Sequence, residues 1–381
     1  MSEENISDIE EVDNEEFDVE EEKGLSEELT DINEPFDPKD IDIQAVQTTM
    51  DTLIKRLQHE EIDLNPEFQR AANLWKPQFM SRLIESLLIR FPLPAFYFDA
   101  TDDDKWQVVD GLQRLSTIKK FVIDKKMKLQ KLEFLHHFEG CTYEELPRNM
   151  QRRIDEAQVT MYLIKPGTPI NVKFSLFYRI NTGGLQLKPQ EIRHALSQGL
   201  NDGQASKFLK EITDTDLFRE VGRVSGKRML DRELVLRYVA LKMKSYMDYK
   251  PPMISFLNYS MEELGNSNQD TLSHLKDDIL QAFAIAKEIF GEDAFRKSLV
   301  EGGKSKVINR ALFEAVSVTF SNLTDQQSTN LINNKEAFLQ DFKNLFSDSE
   351  FYASITYSTA ETTSVQTRFN KISNVVEKHS I

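Results

Sequence analysis

Along the first half of this chain the spacing of apolar residues switches repeatedly between two periods. Alternation in WQVVD (106–110) and around 158–164 predicts strands. AFYFDA (95–100) predicts a third, joined to the first by the polar turn TDDDK. Helical spacing appears between them. After an extended lead-in, Met50, Leu53, Ile54 and Leu57 give one stripe near 47–59. Pro77 suits a first helical turn, and Phe79, Leu83, Ile84, Leu87 and Leu88 recur behind it until Phe91-Pro92 stops the pattern. Leu115, Ile118, Phe121 and Val122 mark a helix in LQRLSTIKKFVID, and another is expected around 147–156. Thr168-Pro169 reads as a capping hydroxyl followed by a preset φ, opening a helix with Val172, Leu176, Phe177 and Ile180 that ends in NTGG (181–184); Pro189 opens the next. Beyond about residue 200 strand signals nearly vanish. Helices are predicted at 205–221, 229–247, 270–290, 308–321, 334–346 and 363–377, with no internal repeat and no heptad run. The pattern is that of an α+β chain, with a mixed α/β part at 41–200 followed by an all-α helical domain at 201–381.

The boundary between a strand and a helix at 105–120, KWQVVDGLQRLSTIKK, carries the first candidate chemistry. A strand that ends in Asp110-Gly111 and turns directly into a helix leaves backbone N–H groups free at the helix start, where the dipole adds positive charge. Gly111 permits close approach, Arg114 offers a planar fork of donors, and Gln113 is able to bond a phosphate or a base. Asp110 is able to hold a metal ion, orient Arg114 or cap the helix. Two readings follow from these residues, a phosphate site or a simple change of direction with a surface ion pair. In FYRINTGGLQLKPQEIRHA, Asn181 and Gly183-Gly184 form a loop between helices, preceded by Arg179 and followed by Arg193 and His194; a glycine pair there also serves as a helix C-cap. Gln69-Arg70 with Trp75-Lys76 places a basic fork and an aromatic in one loop, suited to stacking on a base.

Other motifs fail on spacing. EGGKSK (301–306) contains Gly-Lys-Ser, but Ser298 stands where a P-loop needs its first glycine, so a surface turn is expected. The 6 His include no HExxH pair, and His136, His137 and Cys141 lack an evident fourth metal ligand. With 1 Cys, no internal disulfide forms, which fits a cytoplasmic location; no apolar stretch reaches the length of a membrane span and no secretory signal opens the chain.

Charge divides the chain unevenly. Residues 1–40 hold 18 Asp and Glu against 2 Lys, which accounts for the whole net charge of −16. The other 45 acidic and 45 basic residues cancel. We read 1–40 as an acidic tail, disordered in isolation, either solubilising or mimicking nucleic acid over a basic groove. Its interspersed Ile6, Ile9, Val12, Phe17 and Val19 leave room for docking. The neutral remainder argues against strong non-specific DNA affinity, although KKFVIDKKMKLQK and PRNMQRR are locally basic.

LNPEFQRAANLWKPQFMSRLIESLLIRFPLPAFYF, WQVVDGLQRLSTI, FYRINTGGLQLKPQEIRHA and DRELVLRYVA occur in the order and approximate spacing of a known family. Over residues 45–240 the chain resembles the N-terminal domain of GmrSD-type restriction endonucleases, of the ParB/sulfiredoxin-like superfamily. The family signature DGQQR is read here as Asp110, Gly111, Leu112, Gln113 and Arg114, with Leu112 where the family usually has glutamine. The resemblance implies a ParB-like α/β domain that binds, and in the family hydrolyses, a nucleotide with Mg²⁺ in the restriction of modified DNA. It implies catalytic roles for Asp110, Gln113 and Arg114, with Asp110 also at the metal, and phosphate binding by Gln69, Arg70, Gly111, Arg114, Arg179 and Asn181. Leu112 removes one candidate ligand to phosphate or water. The HNH nuclease domain of fused relatives needs a histidine base and metal ligands, and His274 and His379 lie in no such setting, so a stand-alone form paired with a separately encoded nuclease is expected. Cys141 lies outside the motif, against a sulfiredoxin activity. Two functions stay open: an NTP-binding, NTP-hydrolysing module acting on or near DNA in phage defence, or a non-catalytic DNA- or protein-binding adaptor with a degenerate nucleotide site.

Overall fold

Five strands form one mixed sheet in the first half of the chain, in the order β1-β5-β3-β4-β2. They are β1 (Ile43–Thr49), β2 (Ile62–Asp63), β3 (Phe96–Asp99), β4 (Trp106–Asp110) and β5 (Gln158–Ile164). β1 runs antiparallel to β5, β5 parallel to β3, β3 antiparallel to β4, and β4 parallel to β2. The structure is a computed structural model and describes residues 19, 20, 39, 41–64, 75–180, 187–301 and 307–381.

Alternation along the strands sends neighbouring side chains to opposite faces. Phe96, Phe98, Trp106, Val159, Met161 and Leu163 enter one apolar cluster, with Met50 and Leu53 of α1 (Met50–Gln58), Ile84 and Leu88 of α2 (Pro77–Leu88), Leu115 of α3 (Leu112–Ile118) and Ile154 of α4 (Arg148–Asp155). Val109 and Ile164 enter another, with Phe174 and Phe177 of α5 (Ile170–Ile180) and Ile192 of α6 (Pro189–Ser197). The sheet is thus covered on both sides. Pro77 opens α2 and Pro189 opens α6, as their fixed φ favours. Just ahead of α5, Thr168 Oγ1 bonds the main chain of Asp42 beside β1.

The second half is helical: α7 (Gln204–Thr213), α8 (Asp216–Gly222), α9 (Leu230–Met243), α10 (Met253–Gly265), α11 (Gln269–Phe290), α12 (Ser298–Glu301), α13 (Arg310–Phe320), α14 (Asp325–Asn333), α15 (Lys335–Leu345), α16 (Ser349–Ser354) and α17 (Thr362–Ser380). The segment read as one helix at 205–221 breaks at Asp214-Thr215, where the Thr215 hydroxyl accepts from the Phe218 N–H and restarts it. α10 escapes a periodicity reading because polar Ser255, Asn258 and Ser260 are buried among its apolar Met253, Ile254, Phe256, Leu257, Met261 and Leu264, which blurs the apolar stripe. Ile254 of α10 joins the cluster over Val109, so the helical half packs directly on α5 and α6. Among the described residues no helix is long and apolar enough to cross a membrane.

Candidate functional site

β4 ends on Asp110 and α3 begins on Leu112, so a single residue makes the corner. Gly111 takes a left-handed φ of 103°. A Cβ there would stand 2.4 Å from Cδ1 of Phe96, so glycine is required by both backbone and space. The chain reverses tightly enough to bring Arg114 back beneath Asp110. Arg114 NH2 donates to Asp110 Oδ2 at 2.7 Å and to the Ala95 carbonyl at 3.1 Å, while NH1 donates to the Pro94 carbonyl. Its guanidinium lies 4.5 Å from the Phe96 ring centroid. Burial lowers the Arg114 pKa and Asp110 opposes the shift; the guanidinium stays charged, as arginine does throughout the working range of proteins.

The two partners are not equally enclosed. The Arg114 side chain is 10% exposed and that of Asp110 33%. Leu112 and Gln113 are half-buried beside them. Gln113 Oε1 accepts the Trp75 N–H at 3.3 Å. Ile180 and Leu187, on either side of 181–186, pack with Tyr97 in the cluster of Val109, one residue before Asp110. Tyr97 stacks on Tyr162 at 4.8 Å; burial, then Tyr162 and Asp110, push its phenol pKa upward.

Asp110, Gly111, Gln113 and Arg114 therefore come together at one corner. Arg179 is exposed on the last turn of α5, the helix whose Phe174 and Phe177 cover Val109. Gln69, Arg70, Asn181, Gly183 and Gly184 lie outside the described residues, as does most of EGGKSK. His136 and His137 are exposed on a single 3-10 turn, and among the described residues no group of three or more His, Cys, Asp or Glu could hold a metal ion.

A cleft at the other end of the same strand is absent from the sequence reading. Asp99 pairs with Gln107, whereas Tyr97 pairs with Asp110, so the cleft lies about 10 Å along β4 from the corner at strand rise. Its wall is mostly apolar, from Ile170, Leu196, Leu200 and Met261, with Asp99, Thr101, Gln107, Lys173, Arg193 and Asn258 as polar groups. Lys173 Nζ reaches Asp99 Oδ2 at 2.8 Å, and Arg193 Nε reaches Asn258 Oδ1 at 2.9 Å. The available signal was Lys173 itself, a charge on the apolar face of NVKFSLF.

Residues 52–197 match the family described as GmrSD restriction endonuclease, N-terminal domain. This chain carries a GmrSD-type N-terminal domain. The match runs from within α1 to Ser197, the last residue of α6, and so takes in the sheet from β2 to β5, both flanking layers and the DGLQR corner. The helical half, which packs on the GmrSD-type domain through α10, lies beyond it. No curated protein and no solved structure matches the chain.

Proposed function

We propose that the DGLQR corner of the GmrSD-type domain binds the phosphate groups of a nucleotide together with Mg²⁺, in a module related to modification-dependent DNA restriction and phage defence. The observation that carries the reading is the uneven Asp110–Arg114 pair. Arg114 is held from behind by the Pro94 and Ala95 carbonyls, while the Asp110 carboxylate remains one-third open to solvent. An open carboxylate on a rigid corner suits Mg²⁺, which typically takes one or two protein carboxylates and fills its shell with water and phosphate oxygens. When bound, Mg²⁺ neutralises charge on the phosphates.

In this reading Gly111 lets backbone approach the ligand, Arg114 orients Asp110 and adds positive charge behind it, and Gln113 holds the returning chain at Trp75. The family resemblance adds Gln69, Arg70, Arg179 and Asn181 to the phosphate-binding set. The reaction would be NTP hydrolysis, with DNA as the object of regulation and a separately encoded nuclease as the cutting partner, in the cytoplasm. The second reading, a non-catalytic adaptor, draws on the same bonds. Arg114 donates to Asp110 and to two carbonyls, which is what a purely structural arginine does, and Leu112 replaces the signature glutamine.

A thermal-shift series with common NTPs and dNTPs plus Mg²⁺ separates the two. A ligand at 100 times its Kd adds about 2.7 kcal/mol. The nucleotide-binding reading expects an increment with at least one nucleotide in the wild-type chain, and its loss in Arg114→Ala and Asp110→Asn, each compared with its own ligand-free melt. No increment with any nucleotide selects the adaptor.

A further inference from the structure

Two residues of the acidic N-terminal region are seated in the helical half, and the contacts are selective. Val19 is 2% exposed and belongs to the large apolar cluster of the helices. It forms a parallel bridge with Ile308, and the next N–H, that of Glu20, donates to the Ile308 carbonyl at 2.9 Å. The Glu20 carbonyl accepts from Arg310. The Glu20 carboxylate accepts from Asn309 Nδ2 at 2.5 Å and meets Lys297 Nζ at 3.3 Å. Both donors are themselves enclosed, with Asn309 at 2% and Lys297 at 7% exposure.

Each contact reads a different property. The Ile308 bridge reads extended backbone, the apolar cluster reads the Val19 side chain, and Lys297 with Asn309 reads a carboxylate one position later. Main-chain pairing that supplies affinity while pockets supply specificity is the strategy of strand-addition peptide sites.

Electrostatics gives the same answer. Arg310 Nε lies 3.2 Å from Glu233, Glu233 lies 3.3 Å from Arg237, and Glu314 stands between Arg237 and Arg368. Lys297, Arg310, Arg237 and Arg368 thus face Glu233, Glu314 and Glu20. Remove Glu20 and four cations remain against two carboxylates, an imbalance costly at such burial. The groove is built for an incoming acid.

We propose that the helical half contains a peptide-recognition site for an extended apolar–acidic segment, that the chain fills it with its own Val19–Glu20, and that the same site captures this segment when offered as a separate peptide. The N-terminal region repeats the required pair at Ile9-Glu10, Val12-Asp13 and Phe17-Asp18, so one groove has several registers to choose from. The site is independent of the DGLQR corner and of any nucleotide.

The test uses a fluorescent peptide of residues 18–26, whose sole apolar–acidic pair is Val19-Glu20, and the full-length chain. In the wild type the tethered segment competes at high effective concentration. In a full-length variant with Ile9→Ser, Val12→Ser, Phe17→Ser and Val19→Ser the groove is vacated in every register. The expected result is peptide binding to this variant at least ~10-fold tighter than to the wild type. An E20K peptide should not bind it, and adding Lys297→Glu should abolish binding of the wild-type peptide while restoring that of the E20K peptide. No binding to the variant, or equal binding of the two peptides, overturns the proposal. If the variant does not melt cooperatively, hydrogen exchange on the wild type decides: the Glu20 amide should be protected through its bond to Ile308, and an unprotected amide overturns the proposal.

Discussion

Two arginine–carboxylate arrangements, one in each half of the molecule, show what burial does to the same chemistry. At the DGLQR corner, Asp110 meets Arg114 at 2.7 Å with a third of its side chain exposed. In the helical half, Glu314 is fully buried, 2.6 Å from Arg237 and 2.5 Å from Arg368. Water can replace a partner of Asp110, so that carboxylate is available for exchange with a ligand. Nothing can replace the partners of Glu314, because removing one charge leaves the others in a low dielectric. The helical cluster is therefore a clamp. At the corner the arginine is fixed and the aspartate is open.

The strongest way to break this comparison is Glu314→Gln. It strands Arg368 without a counter-charge, leaves Arg237 only the longer contact with Glu233, and should cost about 3–5 kcal/mol by chemical denaturation. Replacing all three groups together with apolar residues of similar volume should cost less than the single change. A single-variant loss below about 1 kcal/mol would show that the cluster is better hydrated than its burial implies.

Next in size is Gly111→Ala at the corner. The left-handed φ and the 2.4 Å approach to Phe96 act together. Strain and overpacking should sum to about 2–4 kcal/mol. The double variant Gly111→Ala/Phe96→Leu sharpens the point, since it relieves the contact and leaves the φ penalty. If the pair is no more stable than the single variant, the steric part of the account is wrong.

A third carboxylate extends the comparison to a group satisfied without any arginine. Glu85 on α2 is 2% exposed and accepts the N–H groups of Glu133, Phe134 and Leu135 at 2.8–2.9 Å. Burial alone would raise its pKa, but the three backbone donors outweigh it and hold the carboxyl below its ordinary value. A folded-state pKa below the unfolded one, near 4.3 for glutamate, gives stability that is fully present above the unfolded pKa. That stability is lost as pH falls through the folded value. Glu85→Gln should therefore cost about 1.5–3 kcal/mol at neutral pH and flatten the acid limb of the stability curve. An unchanged acid limb would mean that another group controls it.

The corner was legible from sequence because its information is local. WQVVD was read to the residue from alternation and a strand was expected around 158–164, where β5 lies; Asp110-Gly111 at a strand end fixes a turn whichever fold surrounds it. The inward reach of Arg114 was not legible, since its acceptors are the Pro94 and Ala95 carbonyls, which lie in the segment leading into β3. The Asp99–Lys173 pair and the seat of Val19 were hidden for the same reason. They join residues 74 and 289 positions apart, and neither pattern nor propensity carries contacts at that range. Helix α10 was lost for a third reason, because Ser255, Asn258 and Ser260 are buried among its apolar residues and blur the period that reveals a helix.

The smallest expected change in stability is the most telling for function. Leu112 is half-buried at the first position of α3 and enters none of the large apolar clusters. Leu112→Gln should leave the ligand-free stability within about 0.5 kcal/mol, while restoring the family's second glutamine beside the open face of Asp110. If the corner binds nucleotide, the ligand-induced rise in Tm with Mg²⁺ should grow in Leu112→Gln relative to the wild type, because one more polar group faces the phosphates. A larger increment with unchanged ligand-free stability would separate the exposed half of the corner, which meets ligand, from the buried half, which holds Arg114 in place. An increment that stays at zero in both chains would mean that Asp110 and Arg114 form a clamp after all, like Glu314 and its two arginines, with water on one side.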